Sequence, residues 1–447
     1  MQFGFGKVDI TPRVGVELYG YGPYLCRHSV AVREQLYARA LAASDGESTF
    51  VLVSCDLCTV QMHTTEEVRA RVQEATGLPP DNLCVHCIHT HSGPATKLGS
   101  GWGVGDVPYI ETLPVRLATA CVQALEDLKP GRLSHAVVPC EGLGYNREDD
   151  VRPELADALR EDWRPTKPEI TDTEAHVLRF DGEDGLRGFA SYFSCHPVVG
   201  PQTSRYIHSD YAGVATNWLE REHPGSVGLF LQGCEGNINS CVVHHSEQES
   251  LLALDVVAAR YARQVRPGLA EAKPVGDTTV AALRRRCHIS CASVPEEELR
   301  AMLAEREAII KDPSASDADY NVRMATVYAR ALRLELQRRA TGQSADETVE
   351  IQGFRLGDLV LVAAPFEIMH RYKRRIQAAF STPVLVLSLA NHSLGYAPER
   401  ESFEKEDNYA AKIVPYLLGE PPFAPTIENE LVEALTHLAS DLGAVQA

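Results

Sequence analysis

Short apolar runs that stop at a polar, metal-competent side chain recur along this chain. They constrain its fold more than any other feature. Residues 84–88 run into His89 and 186–195 into His196; 358–364 end shortly before Glu367, and 383–390 shortly before Tyr396. Two further run ends carry Asp56 and the loop 233–239. Strand-like runs alternating with helical patterns specify an α/β fold. In such folds, sites assemble in the crevice beyond strand C-termini, where loops from distant segments meet. A site built from the whole chain is therefore expected.

Around those runs the spacing predicts further strands at 6–12, 36–43, 49–56, 132–140, 175–180 and 227–231. Helices are expected at 64–75 (capped by Thr64, with Gly77 past the end), 108–128, 210–221, 368–380 and 427–442. Residues 149–167 are acidic and Pro-interrupted, the pattern of a surface loop. Two charged helical stretches, 295–310 and 320–339, form an expected helical hairpin inserted at 295–342, its charges a solvated face. The expected architecture is one α/β catalytic domain over residues 1–447, with mixed β-sheets flanked by helices.

Lys+Arg of 43 against Asp+Glu of 61 gives a net charge of −18. That balance argues against nucleic acid or an anionic membrane, both of which need a basic footprint. The expected partner is a small-molecule substrate, with homo-oligomerisation left open. No apolar run is long enough to span a bilayer, and no secretory leader is expected at the start. Many of the 12 cysteines fall in apolar runs, as reduced buried thiols would, so a cytoplasmic location is expected. Cys55, Cys58, Cys84 and Cys87 have zinc-knuckle spacing, but each pair lies in a strand pattern, where residues three apart face opposite ways.

His89 and His91 alternate in an extended stretch, so both can enter one pocket. Imidazole is both a common metal ligand and a base near neutral pH. The plainer reading is a pair of loop histidines bonded to backbone. His86 and His176 fit core or face positions, His208 and His392 lie near the motifs, and His244-His245 are a weak second metal pair. Trp102, in the Gly-rich 99–105, is expected to cover substrate as a lid.

His89-Thr-His-Ser-Gly-Pro94, Asn146-Arg147, Cys195-His-Pro-Val198 with Ser209-Asp210, Pro365-Phe-Glu-Ile-Met369, and Asn391 to Tyr396 followed by Tyr409 occur in this order. Together with Gly4–Pro12 they resemble the catalytic N-terminal domain of the neutral/alkaline non-lysosomal ceramidase family. The resemblance runs to about residue 416. It implies that domain's fold and one Zn2+ held by His89, His196, Glu367 and Tyr396. It also implies His91 as an active-site residue that is not a ligand, and Arg147 and Tyr409 as contacts to the substrate's polar group. The family's serine nucleophile aligns with Gly233, and its C-terminal immunoglobulin-like domain is not expected here.

The expected activity is therefore zinc-dependent hydrolysis of an amide, or a related acyl bond, in a small polar substrate by an activated water. His91 would move the proton, and Arg147 and Tyr409 would hold the carbonyl. Gly233, Cys234, Asn237 and Trp102 are expected to contact substrate, with Cys234 as an alternative nucleophile. Asp56 and Asp210 could orient the imidazoles. The rival readings are a zinc Lewis-acid lyase or isomerase, a glycoside or ester hydrolase on the same scaffold, and a non-catalytic member, the last suggested by Glu235 and Asn237.

Overall fold

A computed structural model describes residues 1–97 and 101–447. Three mixed sheets carry the fold, and each contains one parallel pair of strands joined through a helix. In the first sheet Thr49–Cys55 runs parallel to Leu83–Cys87, with the helix Met62–Thr76 between them. In the second, Gly185–Phe193 pairs with Val227–Gln232 across the helix Asp210–Glu222. In the third, Leu359–Ala363 pairs with Val384–Leu387 across the helix His370–Gln377. Parallel strands cannot be joined by a tight turn, so each crossover helix must pack back on its own sheet.

The remaining strands are antiparallel neighbours. Tyr37–Ser44 and Gln2–Asp9 extend the first sheet, Glu174–Gly182 and Arg132–Pro139 the second, and Glu347–Leu356 and Val280–Ile289 the third. One apolar cluster draws from all three sheets, with Phe50, Leu52, Tyr192, Leu231, Phe354 and Leu385 fully buried in it. The outer faces bury separate clusters under the helices. Inner faces of the sheets thus meet each other, and helices shield the outside. His86 ties the three parallel pairs together at the centre: its Nδ1–H donates to Ser388 O at 2.9 Å, and Nε2 accepts from Gln232 N at 2.9 Å.

Several expectations need correction. Thr64 does not cap its helix: Gln61 occupies the N-cap without a side-chain bond, Thr64 is buried, and the neighbouring Thr65 hydroxyl donates to Asn391 O at 2.7 Å. Gly77 does end that helix in the left-handed region, φ 78°. The stretch 149–167 contains a short helix, Leu155–Ala158. The helix Glu247–Glu271 adds to the expected set, its start marked by a capping box, Ser246 with Glu249. Helices Glu296–Ile310 and Tyr320–Ala340 follow one another between the antiparallel strands Val280–Ile289 and Glu347–Leu356.

The cysteines of the two short-spaced pairs go to different places, Cys55 and Cys87 in one core cluster, Cys84 in another and Cys58 in a third. All twelve cysteines are free. Among the described residues no helix is long and apolar enough to cross a membrane.

Candidate metal centre

The C-terminal ends of the three parallel pairs point at one place. Just past Cys87 the chain turns through His89, a non-glycine residue at φ 70° whose N–H bonds Leu57 O at 2.9 Å. Its Nδ1–H donates to Cys58 O at 3.0 Å, which leaves Nε2 as the nitrogen available to an ion. His196, past the second sheet's Phe193, repeats the device: its Nδ1–H donates to Glu235 O at 2.7 Å. Glu367 follows the third sheet's Ala363. Its Oε2 lies 3.1 Å from His196 Nε2 and 3.4 Å from His89 Nε2. Tetrahedral coordination with bonds of 2.0–2.1 Å requires donor separations of about 3.3 Å. The two imidazoles and the carboxylate fit one divalent ion.

The electrostatics favour positive charge there. Burial alone would raise the Glu367 carboxyl, but His89 and His196 hold it well below the carboxylate range. Burial opposes charge on His89, yet Cys58 and Glu367 push its value well above that of a free imidazole. Burial lowers His196 to about 4 and takes His91 well below the usual imidazole value, so both are neutral at pH 7.

His91 stands between the triad and a cavity of about 770 Å³. Its Nε2 is 3.1 Å from His89 Nε2, while its buried Nδ1 has no partner. The loop at residues 19–22 presses on this ring. A Cβ on Gly20 (φ 115°) would lie 2.5 Å from His91 Cγ, and Tyr21 meets the ring edge-on at 4.8 Å.

Tyr396, Arg147 and Tyr409 also line the cavity. Tyr396 is the parallel register partner of Glu367, so two segments far apart in sequence deliver adjacent residues. Arg147 stacks over the Tyr396 ring at 5.1 Å and donates to Gly236 O at 2.7 Å. Tyr409 is 43% exposed, opens a π-helical turn (Tyr409–Ile413), and lies 6.1 Å from the Tyr396 ring. Such turns concentrate at functional sites.

Four expected substrate contacts are elsewhere. Gly233 is buried against Ser194 and Tyr192, and a Cβ there would sit 2.3 Å from Ser194 Oγ. Cys234 is fully buried in the apolar core of the third sheet, and burial raises its thiol well above the usual value. Both ends of the Asn237 side chain are structural: Oδ1 accepts from His370 N at 2.9 Å, and Nδ2 donates to Glu399 at 3.1 Å. Trp102 is 8% exposed and packs in the interior, with its indole N–H donating to Leu417 O at 2.7 Å. Residues 99 and 100 of the expected lid lie outside the described residues.

Asp56 and Asp210 do not reach the imidazoles. Asp56 is paired with Arg39 at 2.8 Å, and Asp210, at φ 52°, accepts from the backbone N–H groups of Val199, Gly200 and Tyr211. Backbone carbonyls orient the ligating rings instead. His86 is the satisfied core residue described above. His176 pairs with His135 at 3.0 Å, and His208 is buried beside Asp210, taking its N–H at Nδ1. His392 is half-buried, with no partner at Nδ1.

His244 lies on the cavity wall. Tyr21, Tyr145 and Asn239 share that wall and were missed. Asn239 is the middle residue of the short strand Ile238–Ser240.

Comparison with known proteins follows the same lines. The family model for the neutral/alkaline non-lysosomal ceramidase N-terminal domain matches residues 1–253. A neutral ceramidase of Drosophila pseudoobscura pseudoobscura is 27% identical over 258 residues, which is 53% of this chain and 36% of that protein. Neutral ceramidase A of Dictyostelium discoideum is 25% identical over 258 residues, 53% of this chain and 35% of that protein. The chain thus matches little more than a third of the length of these relatives.

The crystal structure of neutral ceramidase from Pseudomonas aeruginosa superposes with a TM-score of 0.73 at 20% identity, over 99% of this chain and 74% of that one. A ceramidase complexed with C2 gives 0.74 at 19%, over 100% and 76%. These structures share the fold across the whole chain, including the segments of Glu367 and Tyr396 beyond the family-model match. By the match over its first 253 residues, the chain belongs to the neutral/alkaline non-lysosomal ceramidase family.

Proposed function

We infer that the chain is a zinc-dependent hydrolase cleaving an amide, or a related acyl bond, of a small polar molecule. The observation that carries this reading is the convergence of His89 Nε2, His196 Nε2 and Glu367 Oε2 from three sheets at near-tetrahedral spacing. Tyr396, the register partner of Glu367, is the proposed fourth ligand. A zinc ion held there supplies Lewis acidity and makes water acidic near neutral pH.

The chain's own groups then divide the work. Neutral His91 takes the proton of the attacking water and returns it to the leaving nitrogen. Arg147 and Tyr409 bind the substrate carbonyl and its developing negative charge, a role worth about 3 kcal/mol per donor. Arg147 is suited to this because no carboxylate pairs with it among the described residues. Gly233 favours water as the nucleophile, since a side chain at that position has no room. The burial of Cys234 argues against a thiol route. The substrate class follows from the wall, where Arg147, Glu148, Lys405 and Asp407 put charge that a long acyl chain would avoid.

The test is elemental analysis combined with a panel of N-acyl compounds, each run with and without chelator. One zinc per chain, lost in His196→Ala along with turnover, is the expected result. Turnover that survives both the chelator and His196→Ala would overturn the reading.

A further inference from the structure

Cys58 lies beside the imidazole pair, and the hydrolytic scheme gives it no task. Its Sγ is 3.4 Å from His89 Nδ1. Cys58, His89 and His91 each place a donor atom within 4.8 Å of the other two, and all three are buried. None of the other cysteines joins a three-donor group among the described residues. His89 therefore belongs to two triads: one completed by His196 and a hard carboxylate, the other by His91 and a soft sulfur.

We propose that Cys58, His89 and His91 form a second seat for a thiophilic cation such as Cd2+, overlapping the first at His89 and exclusive of it.

Ligand softness separates the two seats. Thiolate and imidazole select soft ions, whereas the carboxylate of Glu367 suits harder ones. Bonds of about 2.3 Å to sulfur and 2.0–2.1 Å to nitrogen need donor separations of roughly 3.3–3.6 Å; the three donor atoms lie within 4.8 Å of one another, with His91 Nε2 3.1 Å from His89 Nε2. Exclusion follows from the shared nitrogen: Cys58 O holds the His89 Nδ1–H, so an ion in either seat takes His89 Nε2. An ion drawn to the sulfur takes His89 and His91 together, a ligand and the proposed base. As the sulfur–metal bond forms, the Cys58 thiol gives its proton to solvent, and no electron is transferred. This seat exists whether or not the chain turns over a substrate.

The full-length chain, stripped of metal, is titrated separately with Cd2+ and Zn2+, following thiolate-to-cadmium ultraviolet absorption and cadmium NMR. The wild type should bind one Cd2+ with the thiolate band, and Glu367→Ala should keep that band. Cys58→Ser should lose it, with Cd2+ affinity falling about tenfold or more and Zn2+ affinity changing less than about twofold. A wild-type cadmium complex whose absorption and NMR shift show nitrogen and oxygen ligands alone overturns the proposal. So does a Cys58→Ser chain that binds Cd2+ undiminished. The wild-type spectra decide the matter even if Cys58→Ser does not fold.

Discussion

The loops that leave Phe193 and Gln232 start from hydrogen-bonded parallel neighbours, yet they use their polar groups in opposite ways. The first offers a side chain, His196, whose Nε2 faces Glu367. The second offers mostly its main chain, with Asn239 Oδ1, 3.4 Å from Arg147, the side-chain exception. Glu235 O holds His196 Nδ1, Ile238 O holds the His196 N–H, and Gly236 O and Asn237 O hold Arg147. Its side chains at Cys234 and Asn237 are spent on the core and on His370 and Glu399. A loop that acts through carbonyls can change its residue types and keep its task, whereas a loop that acts through an imidazole cannot.

The most direct way to break this contrast is a pair of alanine substitutions. His196→Ala removes a ligand, and losing about 4 kcal/mol of transition-state stabilisation would cut turnover roughly a thousandfold. Bound zinc should vanish with it. Asn237→Ala strands the buried His370 N–H and should cost about 1–3 kcal/mol of stability with zinc content unchanged. Zinc per chain and a denaturation midpoint on both variants are sufficient measurements. Equal loss of zinc in both would show that the second loop also acts through its side chains.

His91→Ala sharpens the contrast on the other loop. With no bond to the ion in this scheme, His91 should lower turnover about 10²–10⁴-fold while zinc stays bound. Depletion of zinc in that variant would make His91 a ligand, an arrangement its 3.1 Å approach to His89 permits.

A smaller effect tests the brace at the base of all three loops. Burial lowers His86 to about 4, and Nε2 must stay unprotonated to accept the Gln232 N–H. The unfolded chain takes this proton near pH 6.5 while the native chain does not, so the unfolded state binds more protons between those values. Stability should therefore fall as pH drops from 6.5 to about 4, by about 3 kcal/mol at ~1.4 kcal/mol per pKa unit. His86→Gln, which can donate and accept without titrating, should flatten that part of a denaturation-versus-pH curve. An unchanged slope would place the acid sensitivity in other groups.

The sequence showed the strand ends and most elements because apolar runs and helical spacing are local. It also showed His89 and Glu367 as run-end residues. It could not show which atom of each side chain is free, since that depends on carbonyls such as Cys58 O and Glu235 O, which every residue type carries. Asp56 and Asp210 looked like imidazole partners for the same reason: their carboxylates are conspicuous in sequence, while the groups that do the orienting are not. The helix Glu247–Glu271 escaped notice because its polar first turns mask the buried stripe through Leu254, Val257, Ala258 and Tyr261. The ligand role of Tyr396 came through resemblance alone, and its pairing with Glu367 is a matter of tertiary register.

Trp102 gives the smallest effect and asks whether the cavity mouth has an aromatic lid. Its ring packs near Tyr19 at 6.1 Å, and its N–H bonds Leu417 O in the short helix Val414–Leu418. Trp102→Phe keeps an aromatic ring and removes that donor, leaving Leu417 O without its partner. The expected cost is about 1 kcal/mol of stability, with KM and kcat each within about twofold of wild type. A lid would behave differently, because an indole that closes over bound substrate contributes to binding. Its loss would raise KM severalfold while the denaturation midpoint hardly moved. Measuring both quantities on one variant separates a residue that serves packing from one that covers bound substrate.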